Sequence, residues 1–198
     1  MHVYGITGPS GSGKSILSQY MTKNGVAHID ADRVYHELLV PPSRVLDALR
    51  EAFGDKILNA DGTLNRTVLS AIVFNDKEKL ALLNKTVLAF VLEEIRRMIQ
   101  ALEKDGFSAV AVDAPTLIES GFHKECDTVI SVLSPKELRI ERIMERDGLS
   151  REKAIERTNA QKTDEFYEEH SDVILMNDGD LEAFFALISV SLPELERK

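Results

Sequence analysis

The chain has 198 residues, 43% of them hydrophobic, and one cysteine, Cys126, so an internal disulfide is excluded and a reducing, cytoplasmic setting is expected. With 24 basic and 33 acidic side chains the net charge is −9, which argues against nucleic acid or an anionic membrane as partner, since both want an electropositive face. The sequence contains neither a basic-then-apolar leader nor an apolar run of about 18 residues, so no signal peptide or membrane span is expected. In chain order, His2–Thr7 predicts a strand and Ser15–Lys23 a helix. Val26–Asp30 follows as a strand, then Ala31–Val40 as a helix that stops at Pro41-Pro42. Ser43–Phe53, Arg66–Phe74 and the long Lys77–Lys104 read as helices with no convincing strand between them. Ser108–Asp113 and Asp127–Val132 are the next strands, Pro135–Arg146 and Ser150–Gln161 the next helices. Asp172–Met176 is a fifth strand and Leu181–Ser191 a closing helix. The strands are short, rich in Val and Ile, and lack full-length polar alternation, as strands buried on both faces of a parallel sheet do. An α/β fold follows, a doubly wound five-stranded parallel sheet of P-loop type. Its expected core is 1–32 with 106–198, carrying a helical lid at about 138–165, and 33–105 is expected to be a helical insertion.

The first strand runs directly into Gly8-Pro9-Ser10-Gly11-Ser12-Gly13-Lys14-Ser15, which fits G-x-x-x-x-G-K-[ST] at every required position. Glycines at this spacing let consecutive backbone N–H groups curl around a phosphate, and the following helix adds its positive end. Lys14 is then placed for the β- and γ-phosphates of a nucleoside triphosphate, and the Ser15 hydroxyl for Mg²⁺. A guanine-nucleotide switch is disfavoured: Asp113-Ala114-Pro115-Thr116 lacks the glycine of D-x-x-G, and Asn84-Lys85-Thr86-Val87 lacks the aspartate of N-K-x-D. The helical insertion and an arginine-rich helix are instead the parts with which a small-molecule kinase covers its substrates.

Asp30-Ala31-Asp32 sits at the carboxyl end of the second strand, the edge where open parallel sheets bind ligands. Asp32 is the candidate base for a hydroxyl proton, while Asp30 equally fits an N-cap. Asp113, ending the third strand, fits either a carboxylate behind Mg²⁺ or a cap on the turn at Pro115. Arg139, Arg142 and Arg146 fall on one helix face, and guanidinium forks suit the spread charge of a transferring phosphoryl group. Gly148 breaks that helix and gives a lid its hinge. His36, His123 and His170 are scattered and form no metal cluster.

These residues resemble the dephospho-CoA kinases. Thr7-Gly8 to Ser15 is followed by Asp30-Ala31-Asp32, similar to that family's D-A-D. Phe53-Gly54, Asp61-Gly62-Thr63-Leu64-Asn65-Arg66 and Val73-Phe74 then look like its F-G, D-G-x-L-x-R and [IV]-F run. Pro115, Leu117 and Glu119 fall on its P-L-L-x-E segment, and Arg142, Arg146-Asp147, Ser150, Glu152 and Gln161 on its lid pattern. Asp172-Val173-Ile174 with Asn177-Asp178-Gly179 looks like its closing D-x-V-I-x-N-x-G. The resemblance implies ATP binding at Gly11, Ser12, Gly13, Lys14, Ser15 and Ile16, with Asn177 near the adenine. It also implies Asp32 as base, Arg142 and Arg146 as lid arginines, and an insertion that holds dephospho-CoA, with Arg66 and His36 among its substrate residues. ATP and Mg²⁺ are the implied cofactors, and a monomer or small homo-oligomer is expected. The implied reaction moves the γ-phosphoryl of ATP to the ribose 3′-hydroxyl of dephospho-CoA, giving CoA and ADP. The chain differs from the family pattern at Leu88-Ala89, where H-P is usual, at Thr116, where Leu is usual, and at His36, where arginine is common. A histidine there predicts substrate binding that weakens toward neutral pH as positive charge is lost.

Overall fold

The computed structural model describes residues 1–193; the last residues of the expected core, 194–198, lie outside the described residues. The chain folds as two compact units, Met1–Ile29 with Ala101–Lys198, and Asp30–Gln100. The first is built on a five-stranded sheet in the order β2-β3-β1-β4-β5. Its strands are β1 (His2–Thr7), β2 (Ala27–Asp30), β3 (Ala109–Asp113), β4 (Thr128–Leu133) and β5 (Val173–Met176). The pairs β1–β3, β1–β4 and β4–β5 are parallel. In register, Ile6 faces Asp113, Thr7 faces Ser131, and Leu133 faces Met176, so these strands finish at one edge.

Side chains alternate across the sheet, as period-two strands must. Tyr4 and Ile6 join Ala111, Ile130, Val132 and Leu175 on one face. There α1 (Lys14–Lys23) and α9 (Leu181–Ser191) cover them with Leu17, Met21, Phe184 and Ile188. Gly5 points the other way; a Cβ there would lie 2.6 Å from Leu117 Cδ2 and 2.8 Å from Cys126 Sγ. A second cluster joins Ile118 and Leu133 to Tyr167 of α8 (Asp164–Glu168). A third, of Ile140, Ile143 and Ala154, packs α6 (Lys136–Asp147) on α7 (Arg151–Asn159).

The unit Asp30–Gln100 holds α2 (Ala31–Leu38), α3 (Arg44–Phe53), α4 (Arg66–Val73) and all but the last turn of α5 (Lys77–Lys104). Its core is Leu39, Val45, Leu46, Leu49, Ile57, Leu69 and Val73, with Leu83, Val87 and Phe90 of α5 packed against them. Three starts are capped by the expected chemistry: Asp30 accepts from Arg33 N–H, Ser43 from Leu46 N–H and Asn65 from Val68 N–H, each at 3.1 Å.

The predicted strands and helices are present, with shifts at their ends. The helix expected to reach Val40 ends at Leu38, because the N–H groups of Leu39 and Val40 tighten onto His36 O and Glu37 O before the prolines arrive. The helix expected over Ser150–Gln161 closes at Asn159, and α8 after it was not anticipated: five residues are too few for a periodic signal. Among the described residues no helix is long and apolar enough to cross a membrane.

Candidate active site

The loop between β1 and α1 turns through glycines with positive φ. At Gly8, φ is 132°, and a Cβ would sit 2.2 Å from Val132 O. At Gly13, φ is 104°, and a Cβ would sit 2.2 Å from Asn177 Nδ2. Both positions exclude any side chain, for backbone and for space. Gly13 caps α1 with no side-chain hydrogen bond, and the first turn of α1 carries no acidic residue. Helix N–H groups left uncapped beside a positive dipole end are the donor set an anion takes. Lys14 folds back over the loop, its Nζ donating to Gly8 O at 2.8 Å and Pro9 O at 3.1 Å. The Ser12 hydroxyl is buried without a hydrogen-bond partner. An orphaned hydroxyl within a donor-rich, acid-free loop fits a polyphosphate.

Ser15 is exposed on the first turn of α1, and Ile16 beside it packs against the sheet core. Asp113, at the end of β3, is tied to α1 through Ser18, whose Oγ lies 3.0 Å from Asp113 Oδ2 and 3.1 Å from Lys14 O. Among the described residues no three His, Cys, Asp or Glu side chains cluster as a metal cage. Magnesium keeps several waters and leans on one or two protein oxygens plus substrate phosphates, and the exposed Ser15 hydroxyl at the start of α1 is an oxygen of that kind.

The three arginines of α6 grade from buried to exposed. Arg139 is 6% exposed, its Nη2 lying 3.7 Å from Asp164 Oδ1, and its Nε and Nη1 have no hydrogen-bond partner. Arg142 is part-buried: its Nη1 donates to Gly11 O and Ser134 Oγ at 3.2 Å and to Asn177 O at 3.5 Å, and its Nη2 to Asn177 Oδ1 at 3.4 Å. Arg146 is exposed, its Nη2 donating to Ser10 Oγ at 3.2 Å while Nε and Nη2 clasp the Asp147 carboxylate at 2.8 Å. Arg157 adds a second cation to Asp147 at 2.8 Å. Hydrogen bonding by Arg146 holds the Asp147 carboxyl below the usual range, and the same bond raises Arg146.

Asn177 follows β5 and is 3% exposed. Its N–H donates to Leu133 O at 2.8 Å, and its Nδ2 to Ser12 O at 2.7 Å. Lys14, Ser15, Asp113, Arg142, Arg146 and Asn177 are thus gathered around the loop and the carboxyl ends of β1, β3, β4 and β5, the edge where such sheets bind ligands.

The remaining expected residues belong to the other unit. Asp32 and His36 lie one turn apart on α2, both exposed, with the His36 ring 5.2 Å from that of Tyr35. Arg66 is exposed at the start of α4. Spacing did not single out Ser18 or Ser134, and it placed Asp147 in the lid pattern without its clasp on Arg146. Ser18 was findable, four residues beyond Lys14 and so above it on one face of α1; Ser134 follows a strand with no distinguishing pattern.

The family model described as dephospho-CoA kinase matches residues 2–183. The dephospho-CoA kinase of Carboxydothermus hydrogenoformans is 36% identical over 181 residues, 91% of this chain and 88% of that protein. That of Dehalococcoides mccartyi is 34% identical over 177 residues, 89% of each. Among solved structures, dephospho-CoA kinase from Campylobacter jejuni aligns with a TM-score of 0.69 and 28% identity, covering 97% of this chain and 98% of that one. Shikimate kinase from Acinetobacter baumannii aligns with a TM-score of 0.56 at 16% identity over 100% of this chain and 95% of its own, a likeness of fold alone. A phosphate loop of this geometry, matched from end to end by one kinase family, assigns the protein: the chain belongs to the dephospho-CoA kinase family.

Proposed function

We propose that Asp32 is the base, and Lys14 with Arg142 and Arg146 the phosphate-facing cations, of the reaction that defines this family, the ATP-dependent phosphorylation of dephospho-CoA that completes CoA biosynthesis. In this scheme Asp32 takes the proton of the ribose 3′-hydroxyl as its oxygen attacks the γ-phosphorus. The bond from that phosphorus to the bridging oxygen breaks, and ADP leaves with the electron pair. Lys14 and the loop Gly11–Ser15 hold the β- and γ-phosphates, and Ile16 lines the nucleotide side of α1. Arg146, already over Ser10 of the loop, meets the charge that spreads over the transferring group. Ser15, with Asp113 behind it, would hold Mg²⁺, which when bound neutralises charge between the β- and γ-phosphates. The helical segment 33–105 takes the acceptor, with His36 and Arg66 toward its anionic groups. A cytoplasmic location fits the single free thiol.

The observation that carries this reading is the uncapped, acid-free start of α1 with Lys14 folded onto the loop carbonyls of Gly8 and Pro9. The test is ADP release with Mg-ATP and dephospho-CoA, against AMP, adenosine or no acceptor. Turnover with dephospho-CoA alone is the expected result; release with another acceptor, or with none, would overturn the assignment of the acceptor and leave the loop's role standing.

A further inference from the structure

We infer that Asn177 is a positioning residue that braces the phosphate loop and Arg142, and so aims the loop's amide donors, rather than a contact to the nucleotide base. The inference rests on the assignment of Gly8–Ser15 as the phosphate site. Asn177 Nδ2 donates to Ser12 O at 2.7 Å. A planar trans peptide points its C=O and N–H in opposite directions. Holding the Ser12 carbonyl toward Asn177 therefore turns the Gly13 N–H away from it. Arg142 Nη1 does the same one residue earlier: it takes Gly11 O at 3.2 Å, and the Ser12 N–H turns to Pro9 O at 3.3 Å. Two consecutive peptide units are thus fixed by their carbonyls.

The two braces are themselves joined, because Arg142 donates to both Asn177 O and Asn177 Oδ1. The amide orientation follows from chemistry: a carbonyl only accepts, so it needs Nδ2, and a guanidinium only donates, so it needs Oδ1. Aspartate cannot serve both partners, and glutamine is a methylene too long. The brace is mounted on the sheet, since Asn177 N–H bonds Leu133 O one residue past the β4–β5 register. At 3% exposure, with Nδ2 and Oδ1 both engaged, the side chain has no open face for a base. Its nearness to Gly13 also explains why that position admits no Cβ.

The experiment measures binding of ATP and of inorganic tripolyphosphate, both with magnesium, to the wild type, Asn177→Ala and Asn177→Asp, with thermal melts of each unliganded protein. A brace on the loop predicts that both ligands weaken by the same factor, about tenfold. Asn177→Asp should weaken them more, because a carboxylate oxygen then faces the Ser12 carbonyl; should it fail to fold, Asn177→Ala carries the comparison. Loss of ATP affinity with tripolyphosphate binding unchanged would overturn the brace in favour of a base contact. A lowered melting temperature with both affinities unchanged would overturn it in favour of a structural role. Wild type that binds neither ligand would overturn the phosphate-loop assignment itself, and the brace with it.

Discussion

The phosphate-loop unit and the helical unit Asp30–Gln100 meet the demands of a kinase by different means. Around the loop, polar side chains are held by polar partners: Lys14, Arg142 and Asn177 each close on backbone carbonyls, and Ser18 links α1 to Asp113. In the helical unit, order comes from apolar packing of Val45, Leu46, Leu49, Ile57 and Leu69, while Asp32, His36 and Arg66 stand in water. Burying a polar group without a partner is costly, so a preorganised phosphate site carries most of its own partners and leaves few groups, such as the Ser12 hydroxyl, for a ligand. In the proposed scheme the exposed candidates meet theirs in the substrate. Substitutions in the loop should therefore disturb nucleotide binding and stability together, and substitutions at the exposed candidates should leave both untouched while removing turnover.

Asp32→Asn is the sharpest way to break that contrast. It removes the basic oxygen and keeps the shape, so kcat should fall about 10²–10⁴-fold with ATP affinity and melting temperature unchanged. Single-turnover ADP release and calorimetry check both halves; near-wild-type turnover would place the base elsewhere. Lys14→Ala should cost about 10²-fold or more in kcat. Unlike Asp32→Asn, it should also weaken ATP binding, because the same ammonium spans Gly8 O and Pro9 O. A lysine variant that lost turnover at full ATP affinity would contradict the account of a side chain shared between loop and ligand.

The sequence made one half of this contrast legible and left much of the other out of sight. A glycine-lysine loop between a strand and a helix has one workable geometry, so Gly8–Ser15 could be placed from spacing alone. Apolar runs fixed the strands, and Pro41-Pro42 bounded α2 to within two residues. What spacing could not reveal is which polar group each polar group chooses. Arg139, Arg142 and Arg146 look alike on a helix face, yet one is buried near Asp164, one spans Gly11 and Asn177, and one is exposed on Asp147. The first two of these choices are made with segments tens of residues away in the chain. Asn177, expected near adenine, likewise meets Ser12 across 165 residues.

Asp147→Asn probes the contrast more gently, because the clasp on Arg146 is a surface ion pair. Losing it should lower kcat/KM only about two- to fivefold, less at high salt. The carboxyl is held below the usual range, so its pairing is present above the ordinary carboxylate pKa and lost as pH falls through the lowered value. The wild-type to variant ratio should accordingly stay flat from pH 6 to 8. A ratio that changes across that interval would show Asp147 coupled to a group other than its two arginines.

Cys126 should give the smallest effect on turnover, and it shows where polar bonding stops mattering. It precedes β4 at the amino edge of the sheet, where Asp127 N–H bonds Val3 O, opposite the edge that carries the loop. Burial, then the carboxylates of Glu125, Asp127 and Asp172, push its thiol up to about 12. At pH 7 the thiolate fraction is then on the order of 10⁻⁵, against a few per cent for an ordinary cysteine. Iodoacetamide should label the folded protein far more slowly than the urea-unfolded chain, and Cys126→Ser should keep kcat/KM. In the unfolded chain the thiol ionises near its ordinary value of about 8.5, while the folded one keeps its proton to about 12. Stability should therefore fall as pH rises through that interval, and Cys126→Ser should flatten the fall. Rapid labelling of the native enzyme at pH 7 would mean that the packing of Cys126 against Gly5 opens in solution, and with it the sheet edge farthest from the phosphates.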